Sequence, residues 1–274
     1  MNNERGQLPS QTLTKVINQL LDSGSVAVAI TVMTGTENIG SKILISEEGR
    51  IWGSLGNEEL DRLIFVHAKD FLNSRIETQT FALTELTSEF LVEEEILLLF
   101  ERIQPPLRFV VCGAGHVGAA LARLGSFIGY QTTLIDDRAD FVSPTRFVNE
   151  QVNLVLATDW SASVRDAIGN GKGVAVAVVT RGHNEDEECM RAVMSSKPDY
   201  VGLIGSKRRT NIVLDNLRRA GAFEEQLKNI RAPIGLDIGA VSPEEVALAI
   251  IAEIVAERRG GKGGSLSAWR REKT

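Results

Sequence analysis

The sequence predicts an α/β protein with a doubly wound parallel sheet in its C-terminal part and a smaller α+β domain before it. Three observations predict this. From residue 107 onward, apolar runs of strand length alternate with helical stretches. The runs are almost continuously apolar, as strands buried on both faces must be. The first of them, "FVVCGAGHVG" at 109–118, leads straight into Gly113, Gly115 and Gly118, the G-x-G-x-x-G spacing of a phosphate-binding turn.

At the N-terminus, Leu13, Val16, Ile17, Leu20 and Leu21 recur at helical spacing, and Gly24 stops the helix. "SVAVAITVMTG" and "SKILISEEGRIWGS" are rich in β-branched residues and broken by glycine turns, which predicts strands. Leu60, Leu63, Ile64, His67 and Phe71 mark one face of a second helix. "ETQTFALT" and "EEILLLFERI" read as further strands. In "ERIQPPLR" two prolines interrupt both periodicities, so the expected domains are 1–104 and 105–274. The second is a Rossmann-like fold, with strands expected at 108–112, 131–136, 152–157, 173–180, 200–204 and 233–238. Helices are expected at 117–128, 185–195, 208–219 and 243–257. The glycine-rich, basic stretch from about residue 259 reads as a partly disordered tail.

The chain has 274 residues, of which 43% are hydrophobic and 24% charged, enough for a substantial core. A net charge of −6 and scattered Lys and Arg argue against nucleic-acid binding. The only two cysteines, Cys112 and Cys189, exclude a disulfide scaffold; without a paired C-x-x-C they argue against a structural zinc site, and no metal site is expected. No long uncharged apolar run suggests a membrane span, and "MNNERGQLPSQ" lacks the apolar region of a signal peptide. A cytoplasmic protein is the expectation.

Within the glycine turn, Gly113 permits the tight bend, Gly115 lets backbone approach a phosphate, and Gly118 lets the helix pack close to the sheet. The helix N-terminus offers free N–H groups to an anion. Asp136 and Asp137 end the second strand in "TLIDDR". Arg181, Gly182 and His183 follow the fourth strand in "VVTRGHNED". Gly205, Ser206, Lys207 and Arg208 follow the fifth in "LIGSKRRT", and Asp237 sits near the end of the sixth in "PIGLDIGA". In a doubly wound sheet all these loops share the end where ligands bind. His116 and His183, two of the chain's three histidines, would then face one crevice. They are the catalytic candidates, with no role assigned, and simple solvation is the alternative. Three cations in one first turn, Lys207, Arg208 and Arg209, oppose the helix dipole, which an anionic ligand would relieve. His67, Trp52 and Trp160 read as packing residues, and neither cysteine reads as reactive.

The ordered set "FVVCGAGHVGAALARL", "TLIDDRADF", "VVTRGHNED", "YVGLIGSKRR" and "IRAPIGLDIGAVSPEEVALAIIAEI" resembles the XdhC/CoxI-type accessory proteins of molybdenum hydroxylases. It covers nearly all of residues 107–258. "GSKILISEEGRIWGSLGNEELDRL" resembles the family's N-terminal domain more loosely. The resemblance implies maturation of another enzyme rather than a reaction of its own. It implies binding of molybdenum cofactor (molybdopterin), assistance to its sulfuration, and insertion into an apo molybdenum hydroxylase such as xanthine dehydrogenase. A cysteine desulfurase is a possible further partner by the same resemblance, and a homodimer is expected. Many members carry a cysteine in a G-G-C-V-E stretch. The corresponding residues here, Gly53 to Asp61, contain none.

Two other readings stay open on the residues alone. In a nicotinamide-dependent oxidoreductase, Asp136 would hold the ribose hydroxyls and favour NAD over NADP. Neither Tyr130 nor Tyr200 belongs to a Tyr-x-x-x-Lys pair. In a regulatory module, bound NAD(P) or another nucleotide would gate partner docking.

Overall fold

Two units make up the chain, Met1–Pro105 and Pro106–Thr274. The structure, a computed structural model, describes residues 10–35, 37–74, 76–87 and 95–267. The expectation of no leader peptide at residues 1–9, and that of a disordered tail over 268–274, lie outside the described residues. Among the described residues, no helix is long and apolar enough to cross a membrane.

The first unit runs α1 (Ser10–Asp22), β1 (Ala27–Val32), β2 (Lys42–Ser46), β3 (Ile51–Gly53), α2 (Glu58–Asn73), β4 (Thr78–Ala82), α3 (Leu83–Leu86) and β5 (Leu97–Ile103). Its strands form one antiparallel sheet in the order β3-β2-β1-β5-β4. The central strand β1 is apolar at nearly every position because both its faces are covered. Val28 and Ile30 pack with Leu60, Ile64 and Phe71 of α2, while Ala27 and Ala29 pack with Leu13, Val16 and Leu20 of α1. Helix α2 starts at a strong signal. The Asn57 side chain accepts the Glu59 and Leu60 N–H groups, and three acids occupy the first turn.

The second unit continues with β6 (Arg108–Cys112), α4 (His116–Phe127), β7 (Gln131–Asp136), β8 (Val152–Leu156), α5 (Trp160–Ile168), β9 (Val174–Val178), α6 (His183–Ser196), β10 (Tyr200–Leu203), α7 (Lys207–Arg219), α8 (Glu224–Lys228) and α9 (Pro243–Arg259). Two short 3-10 turns precede β8. All five strands are parallel, in the order β10-β9-β6-β7-β8. The order reverses between β6 and β9, so the fold is doubly wound with its switch point there. Phe109, Val111 and Leu134 turn to the face covered by α4 and α9, together with Leu121, Ile250 and Ile254. Val110, Cys112, Val176 and Val178 turn to the opposite face, with Trp160 of α5, Met190 and Val193 of α6, and Val213 of α7.

One expected strand does not form. Residues 233–238 are apolar enough, but among the described residues the chain beyond β10 makes a single parallel bridge, Gly202 to Arg231. Pro233 has no N–H to give a ladder, and Gly235 and Gly239 take φ values of +105° and +72°, outside the β region. The segment instead lies along β10 through Leu203 N to Arg231 O (2.9 Å) and Ile234 N to Leu203 O (3.1 Å), then turns away.

Candidate functional site

The carboxyl ends of β6, β7, β9 and β10 carry four loops that build one rim. After β6 the chain turns at Gly113, whose φ is +107°. A Cβ there would stand 2.7 Å from the Val179 carbonyl oxygen and 2.8 Å from the Thr180 Cα, so the turn is pressed against the end of β9. A Cβ on Gly118 would overlap the Gly113 carbonyl oxygen, which is why α4 starts so close to the strand. Gly115 differs from both. It caps α4 with no side-chain hydrogen bond, and nothing lies within 4 Å of where its Cβ would be. The first amides of α4 therefore face open space, with the exposed His116 as the first helical residue.

Asp136 at the end of β7 holds this turn from beneath. It is 1% exposed. Its carboxylate accepts the Ala114 N–H (2.6 Å), the Arg138 N–H (3.0 Å), and the Arg138 Nε and Nη2 (2.8 and 2.9 Å). Those donors occupy the roughly four lone-pair directions of a carboxylate. Burial pushes the carboxyl up, but the bonds from Arg138 and Ala114 outweigh it and hold Asp136 below the usual Asp value. The Arg138 guanidinium also lies over the Phe141 ring, 3.6 Å from its centroid.

The loop after β9 is locked by charge as well. Arg181 reaches Asp137 (2.9 Å) and Glu185 (3.3 Å). Asp186, fully buried in α6, accepts the Thr180 hydroxyl (2.5 Å) and the Arg209 Nε (2.8 Å). Arg209 also donates to the Thr180 and Arg181 carbonyl oxygens. Burial pushes the Asp186 carboxyl up, only partly offset by Thr180 and Arg209. His183 opens α6 and is exposed. After β10, the Ser206 side chain caps α7 by accepting the Arg209 N–H (3.3 Å). Lys207 and Arg208 are exposed and pair with no described residue.

A profile of the XdhC Rossmann domain matches residues 109–254 of this chain. The chain belongs to the XdhC family. It is 24% identical over 267 residues to YqeB of Escherichia coli, an uncharacterized protein, covering 95% of this chain and 47% of that one. Over 162 residues it is 27% identical to a Bacillus subtilis protein named as a probable subunit of xanthine dehydrogenase, covering 59% and 46%. Over 155 residues it is 31% identical to the molybdenum cofactor insertion chaperone PaoD of Escherichia coli, covering 57% and 41%. The chain thus spans less than half the length of each of these relatives. A crystal structure described as a xanthine dehydrogenase from Bacillus halodurans covers 93% of this chain and 98% of its own, with a TM-score of 0.51 at 17% identity. At that identity the likeness bears on the fold alone.

Within this XdhC fold, the strand order brings the loops of Gly113–Gly118, Asp136–Asp137, Arg181–His183 and Gly205–Arg208 to one end of the sheet. His116 and His183 head helices that follow two paired strands, β6 and β9. Among the described residues, one ion pair joins expected residues of different loops, Asp137 to Arg181. Asp237 stands apart. Without the sixth strand it sits exposed on a loop and bonds to none of the others. His67 reaches the Leu86 carbonyl oxygen from its ring Nε2 (3.0 Å), a structural bond between α2 and α3. Cys112 and Cys189 are buried together, and burial, with the Cys112 thiol beside it, pushes the Cys189 thiol up. Among the described residues, no cluster of three or more His, Cys, Asp or Glu is arranged to hold a metal ion.

The first unit contributes a separate cavity of about 370 Å³ beside the stretch where many relatives were expected to carry cysteine. Ile51, Phe65 and the Glu58–Arg62 pair line it. Asp61 shapes the turn by accepting the Ser54 hydroxyl (2.7 Å) and the Leu55 N–H (2.8 Å).

Sequence patterns did not mark Arg138, Glu185, Asp186 or Thr180. Of the three cations expected to oppose the α7 dipole, Arg209 is neutralised by its ion pair to Asp186. The Asp136–Arg138 pair had a local signal, two residues apart in "DDR", as did Arg181 and Glu185, four apart in "RGHNE". Asp186 and Arg209 meet through the fold.

Proposed function

We propose that this chain is a maturation factor that binds molybdenum cofactor and promotes its sulfuration and insertion into an apo molybdenum hydroxylase of the xanthine dehydrogenase type. The observation that carries this reading is the rim at the switch point. It has an open helix N-terminus at Gly115, two exposed histidines and two unpaired cations, suited to an anionic ligand. The name of PaoD supports the choice of ligand, and that of the Bacillus subtilis relative supports the choice of client. In this reading the α4 N-terminus and Lys207 and Arg208 hold the anionic groups of the pterin. His116 and His183 hydrogen-bond the remainder, with Gly113, Gly118, Asp136, Asp137, Arg181, Gly182, Gly205 and Ser206 shaping the rim. The chain changes no bond itself. It excludes water from its cargo and releases it to the client, with a cysteine desulfurase as the sulfur source. It works as a homodimer built from two domains per chain, 1–104 and 105–274.

The test is retention. The purified protein is mixed with cofactor released from a molybdenum hydroxylase and passed through an ultrafilter. Wild type should hold the cofactor well above a control protein, while His183→Ala and Lys207→Ala should each hold several-fold less. Retention no better than the control overturns the carrier role.

The open glycine turn favours one second reading, a regulatory module that binds NAD(P). Asp136 weighs against it, because the carboxylate that would take the ribose hydroxyls is already saturated by Arg138 and Ala114. Calorimetric titration with NADH separates the two: heat of binding with no turnover would favour the module.

A further inference from the structure

Three helices begin at the switch-point rim on adjacent strands, and their first turns differ in charge. Helix α4, after β6, has no acid in its first turn and no side-chain cap. Helix α6, after β9, carries Glu185 and Asp186 there. The Glu185 carboxylate folds back against Gly182, so this helix satisfies its own positive end. Helix α7, after β10, carries Lys207, Arg208 and Arg209 and no acid. Only Arg209 of these is neutralised, by Asp186. The rim therefore reads electropositive, self-neutralised, electropositive from β6 to β10.

A second observation marks the α7 turn. The Thr210 hydroxyl is buried without a hydrogen-bond partner, in a residue only 3% exposed. It faces Gly205: the space where a Gly205 side chain would stand has the Thr210 Oγ1 at 3.4 Å and the Arg209 stem at 3.5 Å on its wall. A buried hydroxyl without a partner is costly to keep; it is closed to solvent, so an incoming oxygen reaches it as the Gly205–Ser206 loop gives way, which a glycine without a side chain permits. Thr210 and Gly205 thus complete a cradle whose charge comes from Lys207 and Arg208.

We propose that Gly205–Thr210 is a second anion subsite, distinct from the one at the α4 N-terminus, and that the rim selects an elongated ligand negatively charged at both ends. This rests on the reading that the rim binds an anionic ligand. Strands β6 and β10 are separated by β9 alone. Two strand spacings separate β6 from β10 by about 10 Å, and α4 and α7 pack on opposite faces of the sheet, so the subsites stand at least that far apart. Between them lies the β9 loop, where Arg181 pairs with Glu185 and with Asp137 just past β7, so the middle of the ligand is uncharged and offers hydrogen-bond donors to these carboxylates. A single phosphate, or a compact pyrophosphate alone, fills one subsite and leaves the other vacant.

A spacer series tests this without the natural cargo. Straight-chain alkanediol bisphosphates with two to ten methylenes, and the matching alkyl monophosphates, are titrated into the full chain by calorimetry. Affinity should peak at one spacer length, where the phosphates span at least about 10 Å, at least about tenfold above the monophosphate. In Lys207→Ala/Arg208→Ala the peak should vanish and the monophosphate affinity remain. Thr210→Val should lower the peak several-fold, with a normal unfolding curve showing that it folds. The exposed double variant keeps the test valid if Thr210→Val is unstable. A flat series, or a peak that survives the double variant, overturns the proposal. A flat series with cofactor still retained sinks the second subsite alone. A clear peak with no retention sinks the carrier role and leaves the subsite standing.

Discussion

Asp136 ties the glycine turn to the neighbouring strand through a single side chain. Because the folded carboxyl is held below its ordinary value of 3.8, the unfolded chain binds the proton that the folded one refuses. The stability Asp136 contributes is therefore present above about pH 4 and lost as pH falls below it. Urea unfolding from pH 2 to 7 should show this slope, and Asp136→Asn should flatten it while costing about 2 kcal/mol at pH 7. The glycines of the turn separate packing from binding. Gly118→Ala drives a methyl into the Gly113 carbonyl and should cost about 3 kcal/mol. Gly115→Ala meets nothing and has an ordinary φ of −61°, so its stability should change by less than about 0.5 kcal/mol. Its methyl stands in front of the open amides, so cofactor retention should fall. If Gly115→Ala unfolds early, or retains cofactor normally, the turn is not the contact surface.

Helices α6 and α7 are coupled by Arg209, which reaches Asp186 in one helix and two carbonyl oxygens of the loop before it. Arg209→Met strands a buried carboxylate and should cost about 3 kcal/mol. Amide hydrogen exchange over residues 180–186 should quicken more than elsewhere in the unit; uniform quickening would mean that the pair does not organise the loop. This coupling also shows where sequence patterns stop informing. Strands β6, β9 and β10 were legible because burial on both faces demands nearly unbroken apolar runs, and β7 because its Thr-Thr-Leu-Ile core is rich in β-branched residues. Helix α9 was legible because Ser242, Pro243 and Glu245 form a capping box ahead of its periodic residues. The run at 233–238 met the same apolar criterion, yet its proline and Gly235, with Gly239 just beyond it, forbid a ladder. The residues of the rim were legible in part because glycine turns have local spacing. The carboxylates that lock them were not, since Asp186 and Arg209 are 23 residues apart and meet only after two strands align.

At the scale of the molecule, each unit closes its own cores. Leu13 to Phe100 pack on the two faces of the antiparallel sheet, and Leu107 to Ile254 on the two faces of the parallel one. Residues 106–274 made alone are therefore expected to unfold in one cooperative urea transition, followed by circular dichroism. A gradual, non-sigmoidal loss of signal would show that the second unit depends on the first. The segment that failed to become a strand has its own consequence. A parallel sheet with two bare margins invites strangers: each unpaired N–H and C=O can template another chain's backbone and start an aggregate. Residues 231–234 lie along the β10 margin and use up its bonding groups, and Pro233 presents no N–H of its own to whatever arrives next. What looks like an interrupted sixth strand works as a selvedge, finishing that border so that it cannot fray into a fibril. Among the described residues, it leaves the margin at β8 as the one along which the sheet can still be extended.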